Sequence, residues 1–318
     1  MSNEHSISVK QRSCITCGPS AGSEHLYRKG AYSILRCPLC GLIFASPHPG
    51  PDELMRLYSE SFFQVGTKFA SQTGSPGMVN AERRVQRLLA NPDVARGRWL
   101  DVGCATGDFM MAARPHVGHI AGIEMSTFAA KQAHTRGLRD VTVGDFLEVN
   151  LDTKSIDVVT MWDVIEHVSD PLAILQRACG VLRDGGVLAL STGDIGSLFA
   201  RVMGRFWHLM IPPRHLYFFS PVTIRNLLEQ AGFETVAVSK PGKLVPLDFV
   251  VWKLAFLFMP CTGPAVLRLS ALARLGRLRP FINLWDIMTV VARKRSLGVA
   301  PTLEDVASHP RDFPASRS

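Results

Sequence analysis

The chain has 318 residues, 47% hydrophobic and 19% charged, which excludes a disordered or fibrous polypeptide and leaves room for one large α/β domain with a small appendage. Its 35 Lys and Arg against 27 Asp and Glu give a formal charge of +8, which permits an anionic partner without specifying one. No run of about 18 residues is free of charge and the opening MSNEHSISVKQRS has no apolar core, so neither a spanning helix nor a secretory leader is expected and the cytoplasm is the expected compartment.

Residues 1–12 are polar and expected to fray. From Cys14 to about Pro49, short β-like runs alternate with tight turns, and Cys14, Cys17, Cys37 and Cys40 form the pattern C-x2-C-x19-C-x2-C. Two such pairs fit a tetrahedral thiolate site for zinc, with a redox dithiol as the competing reading for either pair alone. Four protein ligands leave no open position, so the ion is expected to be structural. Zinc binding worth about 10–16 kcal/mol would hold together a module too small to bury a core of its own. This predicted ribbon, residues 1–49, carries Arg12, Arg28, Lys29 and Arg36 but few stacking aromatics, which favours a cover or substrate-side lid over a nucleic-acid grip. Cys104, Cys179 and Cys261 read as packed thiols.

Residues 50–97 read as a helical connector, with a short helix at Asp52–Ser59, a flexible SQTGSPG patch and an amphipathic helix at Met78–Ala90. From residue 98 to 295, apolar runs alternate with helical stretches: RWLDVG, HIAGIE, VTVGD, IDVVTMW, GGVLALST, FETVAVSK and DIMTVVARK. Seven strands spaced by helices predict right-handed crossovers and a mostly parallel, Rossmann-like sheet. An apolar insert at about 244–282 reads as two helices, either packed on the sheet or lying on a membrane or lipid-tailed substrate. Residues 296–318 read as a disordered tail.

The run LDVGCATGDF, residues 100–109, puts Asp101, Gly103 and Gly107 where a buried strand gives way to a helix. Glycines at such a junction let the backbone approach a nucleotide-like ligand, and ligands of open α/β sheets sit at the carboxyl ends of the strands. The second and third glycines of a dinucleotide fingerprint are missing, which disfavours NAD or FAD. Glu124 ends the next strand about 20 residues on, the distance at which an acidic side chain accepts hydrogen bonds from ribose hydroxyls.

The D-x-G-x-x-x-G pattern, with IDVVTMWDVIEHVSDP at 156–171, LRDGGVLAL at 182–190 and RHLYFFSPVTIRNLLEQAGFE at 214–234, resembles the small-molecule branch of the class I S-adenosylmethionine-dependent methyltransferases, the type 23-like group. The resemblance covers roughly residues 78–240. It implies a seven-stranded sheet whose last strand is antiparallel. It implies S-adenosylmethionine held by Asp101, Gly103, Cys104, Ala105, Gly107, Glu124, Met125, Asp145, Phe146, Trp162 and Asp163.

An oxygen or carbon acceptor usually needs a base, and the candidates are His167 in IEHV and His215 in the segment FWHLMIPPRHLYFFSP, which also holds His208 and Tyr217. Trp207, Tyr217 and Phe218 are either an aromatic wall over an apolar substrate or core. No Asn/Asp-Pro-Pro-Tyr motif follows the fourth strand, which argues against base or glutamine amino groups as acceptors. The expected activity is methyl transfer to O or C of a small-molecule, sugar-linked or lipid-like acceptor, nucleic acid being disfavoured and peripheral membrane contact permitted. The rivals are an RNA methyltransferase gripping RNA through the ribbon, and a silent cofactor-binding interaction protein.

Overall fold

The computed structural model describes residues 13–50, 53, 76–245, 247, 250–251 and 278–295. The helix expected at Asp52–Ser59, the tail and most of the apolar insert lie outside the described residues, as does Cys261. In chain order the first elements are β1 (Glu24–Lys29), β2 (Tyr32–Arg36), β3 (Ile43–Ser46) and α1 (Pro76–Leu89). There follow β4 (Arg98–Val102), α2 (Asp108–Ala113), β5 (His119–Glu124), α3 (Thr127–Thr135), β6 (Val141–Val143), β7 (Ile156–Trp162) and α4 (Pro171–Val181). The remainder are β8 (Leu182–Gly193), α5 (Leu198–Met203), β9 (Tyr217–Phe218), α6 (Pro221–Gln230), β10 (Phe233–Ser239), β11 (Lys243–Leu244), β12 (Phe281–Ile282) and β13 (Ile287–Lys294).

Seven strands form the central sheet in the order β10-β13-β8-β7-β4-β5-β6. The pairs β4–β5, β4–β7, β5–β6 and β7–β8 are parallel, and β13 runs antiparallel to both β8 and β10. All seven apolar runs of the sequence become strands of this sheet. β7 is buried along nearly its whole length because helices cover both faces, as parallel strands require. β8 starts at Leu182, three residues before the apolar run, because LRDG is carried into the sheet ahead of it. Helix starts are fixed locally: Ser126, Asp170, Ser197 and Ser220 each accept a backbone N–H of the first turn of α3, α4, α5 and α6. At α6, Thr223 returns the bond to Ser220, completing a capping box.

The chain order reverses beside β4, which has β5 on one flank and β7 on the other. Such a switch point opens a crevice beyond the strand ends, where a ligand can reach backbone from both halves.

The cysteine-bearing segment forms a second sheet in the order β1-β2-β3-β9. Its last strand belongs to the segment between β8 and α6: Ile43 pairs with Phe218 and Phe44 with Tyr217, and Ala45 N–H donates to Leu216 O at 2.8 Å. Cys14, Leu35, Cys37, Leu42 and Phe44 share one hydrophobic cluster with Met161, Leu216, Tyr217 and Phe219. Lys29 also donates to Arg205 O and Gln230 to Thr16 O. Trp207, Tyr217 and Phe218 are 1–2% exposed, so of the two readings open for these aromatics the structure selects core packing. The ends of the insert are clipped together by the β11–β12 ladder, and Asn80 of α1 bonds Leu244 through both its side-chain amide groups.

Because Phe44 is fully buried in that shared cluster, Phe44→Ala is expected to cost about 3–5 kcal/mol. In urea it should shift one cooperative transition, followed by tryptophan fluorescence and circular dichroism together. A separate early transition would show that the cysteine segment folds on its own.

Candidate functional site

The penultimate residue of β4 is Asp101, 2% exposed, whose Oδ1 accepts from Thr160 Oγ1 of β7 at 2.6 Å. The chain then turns through positive φ at Gly103 (70°), Ala105 (49°) and Gly107 (83°) before α2 begins. Glycine is needed at Gly107 on two counts: the left-handed backbone, and a Cβ there would lie 2.1 Å from Leu138 Cδ1. Gly103 N–H and Cys104 N–H both donate to Ile123 O, at 2.8 and 3.2 Å, which fastens this loop to the end of β5.

At that end sits Glu124, 7% exposed, with Oε2 accepting from Ala105 N–H at 2.9 Å and Oε1 from Ser126 N–H at 2.8 Å. A carboxylate oxygen accepts two hydrogen bonds, so each retains capacity toward the crevice. Burial raises the Glu124 carboxyl above its usual range against the pull of those amides. Burial likewise pushes Asp101 up to about 7, opposed by the Thr160 hydrogen bond and the Arg84 charge and aided by Glu124.

β7 ends in Trp162 and Asp163. Trp162 is 9% exposed, its ring 5.0 Å from Phe109 and under the Arg84 guanidinium at 4.7 Å. Asp163 adopts φ 57°, accepts from Arg84 Nη2 at 2.8 Å and from Ser191 Oγ at 2.8 Å, and donates its own N–H to Ser191. The enclosing protein opposes ionisation of Asp163, but the charges of Arg84 and Lys243 outweigh it and hold the carboxyl well below the usual range. Arg84 thus joins α1 to the ends of β7 and β8.

One turn further on, the 163–170 loop is stapled to the segment before β9. Glu166 O accepts from Leu216 N–H at 2.8 Å, and a ring nitrogen of His167, Nδ1, donates to Arg214 O at 2.7 Å. The His167 and His215 rings lie 4.6 Å apart, edge to face. Burial, then the neighbouring His167, depresses His215 to about 3, and burial also lowers His167. Burial and then the charge of Asp163 raise the Glu166 carboxyl to about 8. His208 lies apart from this pair, against Asp286 at 3.4 Å.

A family profile described as "Methyltransferase domain" matches residues 79–238, just over half of the chain. The chain belongs to the class I S-adenosylmethionine-dependent methyltransferases. Among curated relatives, this methyltransferase is 36% identical over 149 residues to a ubiquinone biosynthesis O-methyltransferase of Actinobacillus pleuropneumoniae, covering 42% of the chain and 64% of the relative. It is 30% identical over 168 residues to the enzyme of that name from Xanthomonas oryzae pv. oryzae, covering 49% and 70%. The chain therefore spans less than two thirds of the first of these relatives. Among solved structures, it resembles the magnesium protoporphyrin IX methyltransferase of Synechocystis PCC 6803 with bound SAH, at a TM-score of 0.53 and 13% identity over 78% of the chain and 100% of that chain. It also resembles a SAM dependent methyltransferase from Archaeoglobus fulgidus, at a TM-score of 0.50 and 20% identity, over 73% and 99%. At those identities the likeness concerns the fold.

Of the residues singled out in the sequence, Asp101, Gly103, Cys104, Ala105, Gly107 and Glu124 converge at the switch point of the methyltransferase sheet. Asp145, half-buried, caps its own turn by accepting from Leu147 N–H at 2.9 Å. Phe146 is 3% exposed and belongs to the main hydrophobic cluster, while Met125 stands 56% exposed. The thiols of Cys14, Cys17, Cys37 and Cys40 lie within 4.8 Å of one another, with Cys14 Sγ and Cys40 Sγ 3.5 Å apart. Gly18 N–H and Gly41 N–H close the two turns onto Cys14 O and Cys37 O. At Cys37, burial is outweighed by the backbone amides of Cys40 and Leu39, lowering the thiol to about 7.

Sequence reasoning missed Arg84, Thr160 and Ser191, and assigned no role to Glu166. Arg84 sits on a helix outside every motif, so nothing near it in sequence marks it. Glu166 lies inside the quoted IEHV run, where only its burial distinguishes it. No helix among the described residues is long and apolar enough to cross a membrane.

The displacement of Asp101 from 3.8 to about 7 corresponds to roughly 4 kcal/mol between its two protonation states. Because the folded value is the higher one, the cofactor-free protein loses stability as pH rises from about 4 through 7. Asp101→Asn is expected to flatten that slope, raising the melting temperature at pH 8 more than at pH 5.5. An unchanged slope in thermal unfolding would show that this carboxyl ionises freely in the folded chain.

Proposed function

We propose that the crevice at the ends of β4, β5 and β7 binds S-adenosylmethionine and that the chain transfers its methyl group to an oxygen or carbon of a small, sugar-linked or lipid-like acceptor. Bound there, the cofactor supplies a methyl group on a sulfonium sulfur, already activated for in-line displacement. The carrying observation is the donor set: two buried carboxylates, Asp101 and Glu124, tied to β7 and to the 103–107 loop. Neither is ion-paired among the described residues, and a ligand with an ammonium, a sulfonium and ribose hydroxyls supplies the charge and the donors that they lack.

In this reading Glu124 accepts the ribose hydroxyls, as the register of its two oxygens allows. Asp101 and the amides of the 103–107 loop hold the amino acid end. Trp162 and Asp163 close the side next to the acceptor, with Arg84 fixing both. Because the donor is pre-activated, the protein's main task is alignment and exclusion of water, worth roughly 7–11 kcal/mol. In this reading the pair of His167, half-buried, and His215, buried, beyond Asp163 faces the acceptor. Transfer to a hydroxyl releases its proton as the new O–C bond forms and the C–S bond breaks. The similarity to ubiquinone biosynthesis O-methyltransferases supports oxygen over carbon.

The four thiols fit zinc. A tetrahedral ion with Zn–S bonds of about 2.3 Å places sulfurs roughly 3.8 Å apart, and the four Sγ atoms lie within 4.8 Å. With four protein ligands the ion holds the β1–β3 sheet and takes no part in transfer. We assign that sheet the role of a structural cover behind the 214–218 segment.

Isothermal titration with S-adenosylmethionine and S-adenosylhomocysteine is expected to give micromolar binding. Glu124→Ala should weaken it about 10- to 100-fold, the worth of charge-assisted hydrogen bonds. Folded wild-type protein that binds neither ligand would sink the reading; binding without transfer of labelled methyl to hydroxylated acceptors would support the silent alternative. For the thiol site, Cys37→Ser is expected to remove one equivalent of zinc per chain in elemental analysis and to lower the melting temperature. Equal stability with and without the ion would remove its structural role.

A further inference from the structure

Three side chains on the acceptor side are brought together by the stapling of two loops. Glu166 and His167 follow β7, and His215 precedes β9. One potential ligand atom from each lies within 4.8 Å of the others. Glu166 is 4% exposed, and its Oε2 is buried without a hydrogen-bond partner in the protein. A buried polar atom left in this way costs about 1–3 kcal/mol unless something fills the space beside it.

Each histidine places one ring nitrogen on a backbone carbonyl. His167 Nδ1 donates to Arg214 O at 2.7 Å, and a ring nitrogen of His215 is held on the carbonyl of Leu209. A neutral imidazole that donates from one nitrogen carries its lone pair on the other, and a backbone carbonyl in this position is the common outer-shell partner of a ligating histidine. An ion with bonds of about 2.0–2.2 Å needs its ligand atoms roughly 3–4 Å apart, and the three candidate atoms lie within 4.8 Å of one another.

We propose that Glu166, His167 and His215 form a second metal site, for a divalent transition-metal ion held by two imidazoles and one carboxylate. The donor set suits zinc, cobalt, manganese or iron better than the all-oxygen cations. Three protein ligands leave open positions, unlike the closed tetrathiolate of the cysteine segment. On the reading of the crevice as a methyl-transfer site, an open position accommodates an acceptor hydroxyl, whose acidity an adjacent ion raises.

Chelator-treated full-length protein titrated with cobalt(II) is expected to take up two equivalents. One shows the intense thiolate charge-transfer absorption of the four-cysteine site, the other only the weak bands of nitrogen and oxygen ligation. Glu166→Gln and His215→Ala should each weaken the second equivalent at least about 10-fold while keeping the first, which also reports that the variant has folded. Uptake of a single, thiolate-bound equivalent by wild type would overturn the proposal, as would two equivalents retained by both variants. S-adenosylmethionine titration of the same samples separates the two readings: cofactor binding without the second cobalt overturns only the metal site, and the second cobalt without cofactor binding only the methyl-transfer reading.

Discussion

Burying two carboxylates at the switch point of a parallel sheet is a demand that the surrounding structure has to meet. Asp101 and Glu124 sit at the ends of adjacent strands, 2% and 7% exposed, where neither charge is welcome without a partner. The protein answers with neutral donors: Thr160 to Asp101, and the amides of Ala105 and Ser126 to Glu124. The Ala105 amide is presented to Glu124 from a turn that passes through positive φ at residues 103, 105 and 107. The shape of the loop and the state of the carboxylates are therefore one problem, and a cationic ligand relieves both.

The side that we assign to the acceptor is built by ties between segments distant in sequence. Glu166 O receives Leu216 N–H, β3 adds β9 as a fourth strand of its sheet, and Arg84 reaches from α1 to Asp163. The cysteine segment consequently backs the loop that carries His215, and its hydrophobic residues run into the core of the larger sheet. The β3–β9 ladder is the direct backbone connection between the thiol-bearing segment and that loop.

Desolvation sets the chemistry of the histidine pair. Side by side, the buried His215 and the half-buried His167 both have lowered basicity, and Glu166 beside them is held toward its neutral form. A group depressed to about 3 is a weak proton acceptor at neutral pH. That makes His215 better suited to donating a lone pair to an ion or a hydrogen bond than to acting as the base the sequence suggested.

Much of the fold was legible in the sequence. The seven apolar runs alternate with helical stretches, so periodicity and turn chemistry place them as strands of a mostly parallel sheet, while the antiparallel last strand came from the family resemblance. Asp101, Gly103, Gly107 and Glu124 were legible because a backbone turning tightly at a strand end leaves a local signature, as did the spacing of Cys14, Cys17, Cys37 and Cys40. What only the tertiary structure decided are the long-range pairings: Tyr217–Phe218 completing the cysteine segment's sheet, Arg84 over Trp162, and the meeting of Glu166, His167 and His215. Two-residue strands and single ion pairs have no periodicity to read, and a side chain's partner from a segment distant in sequence is fixed by how the sheet brings its loops together, which local sequence does not encode.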